Sequence, residues 1–252
     1  MRYYVTADVH GYFSLLKAAL TRQGFFDDPQ PHKLIICGDL YDRGAEAQEL
    51  QDFILELMAQ DRVILIRGNH EDLTQSLLHS WHRRSYLQSH HNLNGTVDTL
   101  CQLTGISLRQ LYDNPEHMAR AFLKNPFMQT ILPATVDYYE TDRYIFVHGW
   151  IPCTPVSVAS HQTEYIPMAD WRNADKSDWD KARWINGMEA AHAGITEPGK
   201  TIVCGHWHCS FGHEQYEQAP QPDFTPYYGN GIIALDACTP VSQTVNCIVI
   251  ED

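Results

Sequence analysis

The sequence predicts an α/β fold, a two-sheet β-sandwich flanked by α-helices and carrying a helical insertion. Three observations predict it. Five apolar runs of strand length each end in a cluster of Asp, His, Asn and Gly; amphipathic helical stretches follow the first three; and the C-terminal part alternates short strand-like runs with turns. Strand, polar cluster and helix in repeating order place functional groups at the carboxyl ends of strands, where open α/β sheets bind their ligands.

The first run, YYVTA, leads into Asp8, Val9, His10 and Gly11. The helical stretch after it, FSLLKAAL, puts Phe13, Leu16 and Leu20 on one face. LIIC then leads into GDLYDRG, residues 38–44, which sets two aspartates and an arginine at the end of a core strand, where unpaired charge is costly. Behind it, AEAQELQDFILELMAQ spaces Leu50, Phe53, Ile54, Leu57 and Met58 helically. The third run, VILI, ends in Arg67, Gly68, Asn69, His70, Glu71 and Asp72.

Residues 75–135 hold no such cluster and read as helical. LTQSLLHSWHRR precedes a break at Gly95, ISLRQLY follows, and Asn114-Pro115 marks a stop and restart, since Asn caps and Pro suits the first helical position. The segment contains five basic residues (Arg83, Arg84, Arg109, Arg120, Lys124), three acidic ones and five histidines. A solvated helical insertion and a cap facing an anionic substrate both fit that composition. Two further runs, YIFV and TIVC, end in His148-Gly149 and in Gly205-His206-Trp207-His208. YYGNGIIALDA and residues 243–250 read as strands joined by turns, which predicts a second, more antiparallel sheet. At 252 residues the expected organisation is one domain, 1–252, with the insert at about 75–135.

Composition narrows the function. A net charge of −13 argues against a grip on a nucleic-acid duplex, which needs clustered Lys and Arg. Small anionic substrates stay open, because a metal ion inverts the local field. There is no apolar stretch long enough to span a bilayer, so no membrane partner is expected. MRYYVTADVHG lacks the pattern of a signal peptide, and the seven scattered cysteines, never spaced C-x-x-C, read as buried thiols; a cytoplasmic location is the expectation.

The strand-end clusters together offer Asp8, His10, Asp39, Asn69, His148, His206 and His208. Mixed carboxylate and imidazole donors suit Mn²⁺, iron or Zn²⁺ rather than Ca²⁺ or copper. Seven donors exceed one tetrahedral zinc but serve two ions if a carboxylate bridges, the arrangement that clamps both oxygens in phosphoryl hydrolysis. Singly the motifs are weak: DxH reads equally as a turn-capping Asp beside a surface His, and GNH as a turn. In GHxH, an extended backbone would put both imidazoles on one face. Their joint occurrence, each at a strand end, is the signal.

DVHG, GDLYDRG, GNHED, VHG and GHWH, in that order over residues 8–208, resemble the calcineurin-like metallophosphoesterase superfamily. The GDxxDRG form is similar to its serine/threonine phosphoprotein phosphatase branch, which also takes in symmetrical diadenosine tetraphosphate hydrolases. The resemblance implies two metal ions, manganese or iron foremost and zinc as the alternative. Asp8, His10 and His208 would hold the first, Asp39 would bridge, and Asn69, His148 and His206 would hold the second. A metal-bridging hydroxide would be the nucleophile on a phosphate ester or phosphoanhydride. His70 would protonate the leaving group, Asp42 would orient it, and Arg43 would grip the phosphate, for which a planar guanidinium is matched.

There are three departures from the family pattern. Trp150 follows VHG and Trp207 separates the GHWH histidines, where the family commonly has smaller residues; each reads as a pocket wall or equally as core. The second phosphate-binding arginine of that branch has two candidates here, Arg172 and Arg183, and Arg183 beside Trp184 is preferred. A serine/threonine protein phosphatase is the leading expectation, with a phosphoprotein as substrate. A symmetrical dinucleoside tetraphosphate hydrolase shares every motif. The complete ligand set and His70 argue against a non-catalytic scaffold. The DRG arginine and the acidic chain argue against a nuclease or phosphodiesterase.

Overall fold

The computed structural model describes residues 1–81, 89–157 and 163–252. Its strands are β1 (Arg2–Thr6), β2 (His32–Cys37), β3 (Val63–Ile66), β4 (Tyr139–Glu140), β5 (Tyr144–Phe146), β6 (Cys153–Ser157), β7 (Thr163–Pro167), β8 (Thr201–Cys204), β9 (Tyr227–Gly229), β10 (Ile232–Ala234) and β11 (Cys247–Glu251). The five expected runs are therefore β1, β2, β3, β5 and β8. The helices are α1 (Phe13–Gln23), α2 (Ala47–Ala59), α3 (Asn69–Ser80), α4 (Ser89–Leu93), α5 (Thr96–Thr104), α6 (Leu108–Asp113), α7 (Pro115–Leu123), α8 (Lys176–Ala182), α9 (Gly187–His192), α10 (Cys209–Glu217) and α11 (Thr239–Ser242).

Two sheets carry the architecture. The first runs β11-β1-β2-β3 and the second β4-β5-β8-β10-β9. β1, β2 and β3 are mutually parallel, with Val5 opposite Ile35 and Ile35 opposite Ile64. β5, β8 and β10 are likewise parallel, flanked by antiparallel β4 and β9. Crossover helices and long connections between parallel neighbours are what that pairing demands. One expectation is corrected. The last run joins the first sheet, not the second: β11 pairs antiparallel with β1, Arg2 opposite Glu251, and so satisfies the hydrogen-bonding edge of β1 that β2 leaves open.

Alternation along the strands sorts the core into layers. Tyr3, Val5, Ile35, Cys37 and Ile66 meet Phe146, Val203 and Leu235 between the sheets. Tyr4, Leu34 and Ile36 point the other way, onto Leu16 and Leu20 of α1 and Leu50 and Ile54 of α2. On the outer face of the second sheet, Ile145, Ile202 and Ile232 pack against Trp179, Met188 and Ala190. The order is helix, sheet, sheet, helix, with each fully buried aliphatic side chain contributing about 1.5–3 kcal/mol.

Among the described residues, the segment after β3 is largely helical, as expected. Asn114 accepts the His117 N–H with Pro115 in the first helical position, and Ser107 with Gln110 forms a capping box for α6. Arg83 and Arg84 lie outside the described residues. All seven cysteines are free thiols, six of them buried. Among the described residues no helix is long and apolar enough to cross a membrane.

Candidate metal centre

Every residue of the centre sits just past the carboxyl end of a parallel strand. Asp8 and His10 follow β1, Asp39 follows β2, Asn69 and His70 follow β3, His148 follows β5 and His206 follows β8. The backbone there is unusual. Asp8, His10, Asp39, Asp42, Arg43 and His206 all adopt the left-handed region, with φ of 52, 51, 53, 74, 66 and 68°. Such backbone costs about 1–2 kcal/mol per non-glycine residue and persists only where the surroundings over-determine it. Gly38 shares this region at φ 81°, and a Cβ there would fall 2.4 Å from the His148 ring, so no other residue serves.

Asp39 is the centre. Its carboxylate lies 3.8 Å from His10 Nε2, 3.8 Å from His70 Nε2 and 3.4 Å from His148 Nε2, and it accepts the backbone N–H of His70 at 3.0 Å. Two groups of donor atoms share it, each mutually within 4.8 Å: His10, Asp39 and His70 on one side, Asp39, His148 and His206 on the other. Asn69 Oδ1 stands 2.7 Å from His148 Nε2 and completes the second group. Asp8 is held close by accepting the backbone N–H of His206 on both oxygens, at 3.1 and 3.0 Å.

The donor set fits metal ions on its own chemistry. His10 Nδ1 meets the Tyr41 carbonyl at 3.0 Å and His148 Nδ1 meets the Cys37 carbonyl at 2.8 Å. Those bonds place the proton on Nδ1 and turn the Nε2 lone pair inward, the usual outer bond of a metal-ligating histidine. Burial pushes His10 and His206 down to about 3, which leaves both rings neutral. Burial together with Asp236 and Asp39 pushes the Asp8 carboxyl well above its usual range. A buried carboxylate in such company ionises when a cation is near. At Asp39, burial is outweighed by the surrounding imidazoles, His148 first, and the carboxyl is held low.

His70 differs from its neighbours. Its Nδ1 is 2.7 Å from Asp42 Oδ2, and its ring stands edge-on to His10 at 4.7 Å. Burial opposes its charge, but Asp39 and the Asp42 hydrogen bond outweigh burial and raise its pKa. Arg43, exposed at the rim, reaches His10 Nε2 at 3.1 Å and His70 Nε2 at 3.3 Å. Asn69 and His70 open helix α3. Successive helical side chains diverge by about 100°, so the two face different ways.

His208, like Asp8, is in neither donor group; the backbone turns left-handed at His206, and the His208 side chain is 45% exposed with Nε2 3.8 Å from Asp236 Oδ2, a carboxylate close enough to Asp8 to raise its pKa. Arg183 is 3% exposed, and its three nitrogens meet Asp72, Asp137 and Asp180 at 2.7–2.8 Å, which makes it a structural ion-pair hub rather than a phosphate ligand. Arg172 is similarly taken by Glu140 and Glu197. Trp150 is a core residue whose indole N–H donates to the Ile195 carbonyl, whereas Trp207 is 40% exposed beside the site.

Sequence reasoning missed Asp236, which is 3% exposed and close enough to Asp8 to raise its pKa. The signal was available: IIALDA is a sixth apolar run ending in an aspartate, just past β10. It also missed Glu71, which accepts the backbone N–H groups of Asp39, Leu40 and Gly68 and ties two of the loops together.

The chain is similar to known proteins. Over 70 residues the chain is 37% identical to serine/threonine-protein phosphatase 1 of Salmonella typhimurium, a match covering 28% of this chain and 30% of that one. Over 78 residues it is 30% identical to the asymmetrical bis(5'-nucleosyl)-tetraphosphatase PrpE of Anoxybacillus flavithermus, covering 29% and 32%. The match thus spans about a third of the length of these relatives. A solved cold-active protein tyrosine phosphatase superposes with a TM-score of 0.53 at 17% identity, covering 99% of this chain and 73% of that one. The enzyme of that description from a psychrophilic Shewanella gives 0.52 at 18% identity, covering 100% and 75%. At these identities the likeness is one of fold. The family model of the calcineurin-like phosphoesterases matches residues 1–210, five-sixths of the sequence including the five strand-end clusters from Asp8 to His208, and the chain belongs to that family.

Proposed function

We propose that the protein is a phosphatase with a dinuclear metal centre, acting on phosphorylated serine or threonine side chains. The observation that carries the proposal is the place of Asp39, shared by two groups of inward-facing donors. Asp8, His10 and His208 would hold one ion and Asn69, His148 and His206 the other, with manganese or iron suited to the mixed oxygen and nitrogen set and zinc the alternative. When bound, such ions act as Lewis acids toward phosphoryl oxygens and bring the pKa of water toward neutrality.

The remaining roles belong to the chain. Arg43, with its fork at the open rim, binds the phosphate and offsets charge developing on its oxygens. His70, held on Nδ1 by Asp42, presents its other nitrogen toward the centre and protonates the departing alkoxide. The relative from Salmonella supports the protein-phosphatase reading; the relative from Anoxybacillus, an asymmetrical enzyme, supports the coarser part of a second, hydrolysis of a dinucleoside tetraphosphate, which the motifs suggest in its symmetrical form. Metal analysis and product analysis on a phosphopeptide and on diadenosine tetraphosphate decide between them. Release of inorganic phosphate from the peptide alone supports the first. Two molecules of ADP from the dinucleotide, with no attack on the peptide, support the second. Absence of bound metal with no hydrolysis of either overturns both.

A further inference from the structure

The helical segment after α3 reaches into the catalytic loop. Gly95, at φ 86°, precedes α5, and a Cβ on it would lie 2.4 Å from the Arg43 backbone nitrogen. The two backbones therefore meet at a distance only glycine permits. From there Thr96, Thr99 and Gln102 form a stripe along α5 at the three-residue spacing that shares a helix face. The Thr96 hydroxyl donates to Asp42 Oδ2 at 2.8 Å and the Thr99 hydroxyl to Oδ1 at 3.0 Å, while the Asp42 N–H lies 3.0 Å from Thr99 Oγ1. Gln102 accepts the Ala47 N–H and donates to the Gly44 carbonyl, both at 2.9 Å. Asp42, Thr96 and Thr99 are each at most 1% exposed.

The oxygen that takes the Thr96 hydroxyl is the one that meets His70. A carboxylate with a threonine on each oxygen cannot rotate about its last bond without breaking one of them, so the direction of the His70 bond is set from α5. Asp42 and Arg43 both hold left-handed backbone, which survives only where contacts over-determine it. The stripe on α5 supplies those contacts.

We propose that Thr96 and Thr99 are positioning residues of phosphoester hydrolysis, fixing the Asp42 carboxylate so that it holds the His70 imidazole in one tautomer and orientation. The segment containing α5 is then neither inert cover nor only a wall for substrate; it completes the proton donor. The proposal rests on the reading of His70 as that donor.

The test compares Thr96→Val, Thr99→Val and the double variant, which remove hydroxyls at nearly constant shape, with Thr96→Ser and Thr99→Ser, which keep them. Two quantities are read: the ratio of kcat on an alkyl phosphate to kcat on an activated aryl phosphate, and the imidazole ¹H–¹⁵N signals of His70 in the metal-free protein. The double valine variant should lower the ratio about 10–100-fold, as expected when a catalytic group is misplaced, and the serine variants should restore it. The Nδ1–H signal of His70 should be single in the wild type and shifted or broadened in the valine variants. An equal loss on both substrates that serine does not restore, or an unchanged ratio with an unchanged His70 signal, overturns the proposal. If the double variant does not fold, the single valine variants carry the same comparison. If His70→Asn shows no leaving-group dependence, the proton-donor reading fails, while the His70 signal still reports whether the threonines hold the pair.

Discussion

Asp42 Oδ2 lies 2.7 Å from His70 Nδ1, and both side chains are almost fully buried, at 1% and 3% exposure. The two residues come from different loops, 28 positions apart, and this bond distinguishes His70 from the imidazoles around it. His10 and His148 spend Nδ1 on backbone carbonyls and turn a lone pair inward; His70 spends it on a carboxylate, which favours a charged ring.

His70→Asn should therefore cost about 10²–10⁴-fold on phosphate esters of poorly leaving alkoxides. The loss should shrink with an activated aryl phosphate, whose leaving group hardly needs a proton. Bound metal should stay near the wild-type level. Because His70 also falls within one donor group with His10 and Asp39, loss of metal with an equal loss on both substrates would make it a ligand instead.

Asp39→Asn should lower metal occupancy and activity together, since one carboxylate serves both donor groups. Elemental analysis of the wild type should give two ions per chain. A chelator should lower the melting temperature as well, by linkage between binding and folding. A single ion, unaffected by the substitution, would contradict the shared role.

Arg43→Ala should raise KM and lower kcat with metal content unchanged. Its guanidinium stands exposed at the rim and has no carboxylate ion-pair partner among the described residues; it reaches His10 Nε2, a contact that a bound ion would replace, so metal content is the readout that separates a phosphate role from a structural one. Depleted metal in the variant would show that it supports the centre structurally.

Arg183→Met tests the hub. Its removal leaves Asp72, Asp137 and Asp180 without their common partner. Those aspartates are 22–41% exposed, so the cost should fall between the ~1 kcal/mol of a surface pair and the ~3 kcal/mol of a broken buried one. Thermal unfolding should drop by about 2–4 °C per kcal/mol. KM should hardly move in the folded variant; a large rise in KM at unchanged melting temperature would return Arg183 to the phosphate.

Much of this molecule was readable from the chain alone, because its signals are local. An apolar run of four or five residues, a turn-forming cluster and an amphipathic stretch each declare themselves within a short window, and β1, α1, β2, α2 and β3 follow in that order. The same locality exposed Asp8, His10, Asp39, Asn69, His148 and His206, since each follows its strand directly. Matters that depend on two distant segments meeting were not readable. Whether β11 adds to one sheet or the other depends on which strand has an open edge, not on the run itself. GHWH promised two imidazoles on one face, yet a left-handed residue at His206, held by contacts from Asp8, sends His208 toward Asp236. Arg183 looked free to meet a phosphate until folding brought Asp72 and Asp137 to it across 111 and 46 positions. Thr96 and Thr99 carry no local mark at all; their hydroxyls acquire a purpose only because Gly95 lets α5 come within backbone contact of the loop at Asp42.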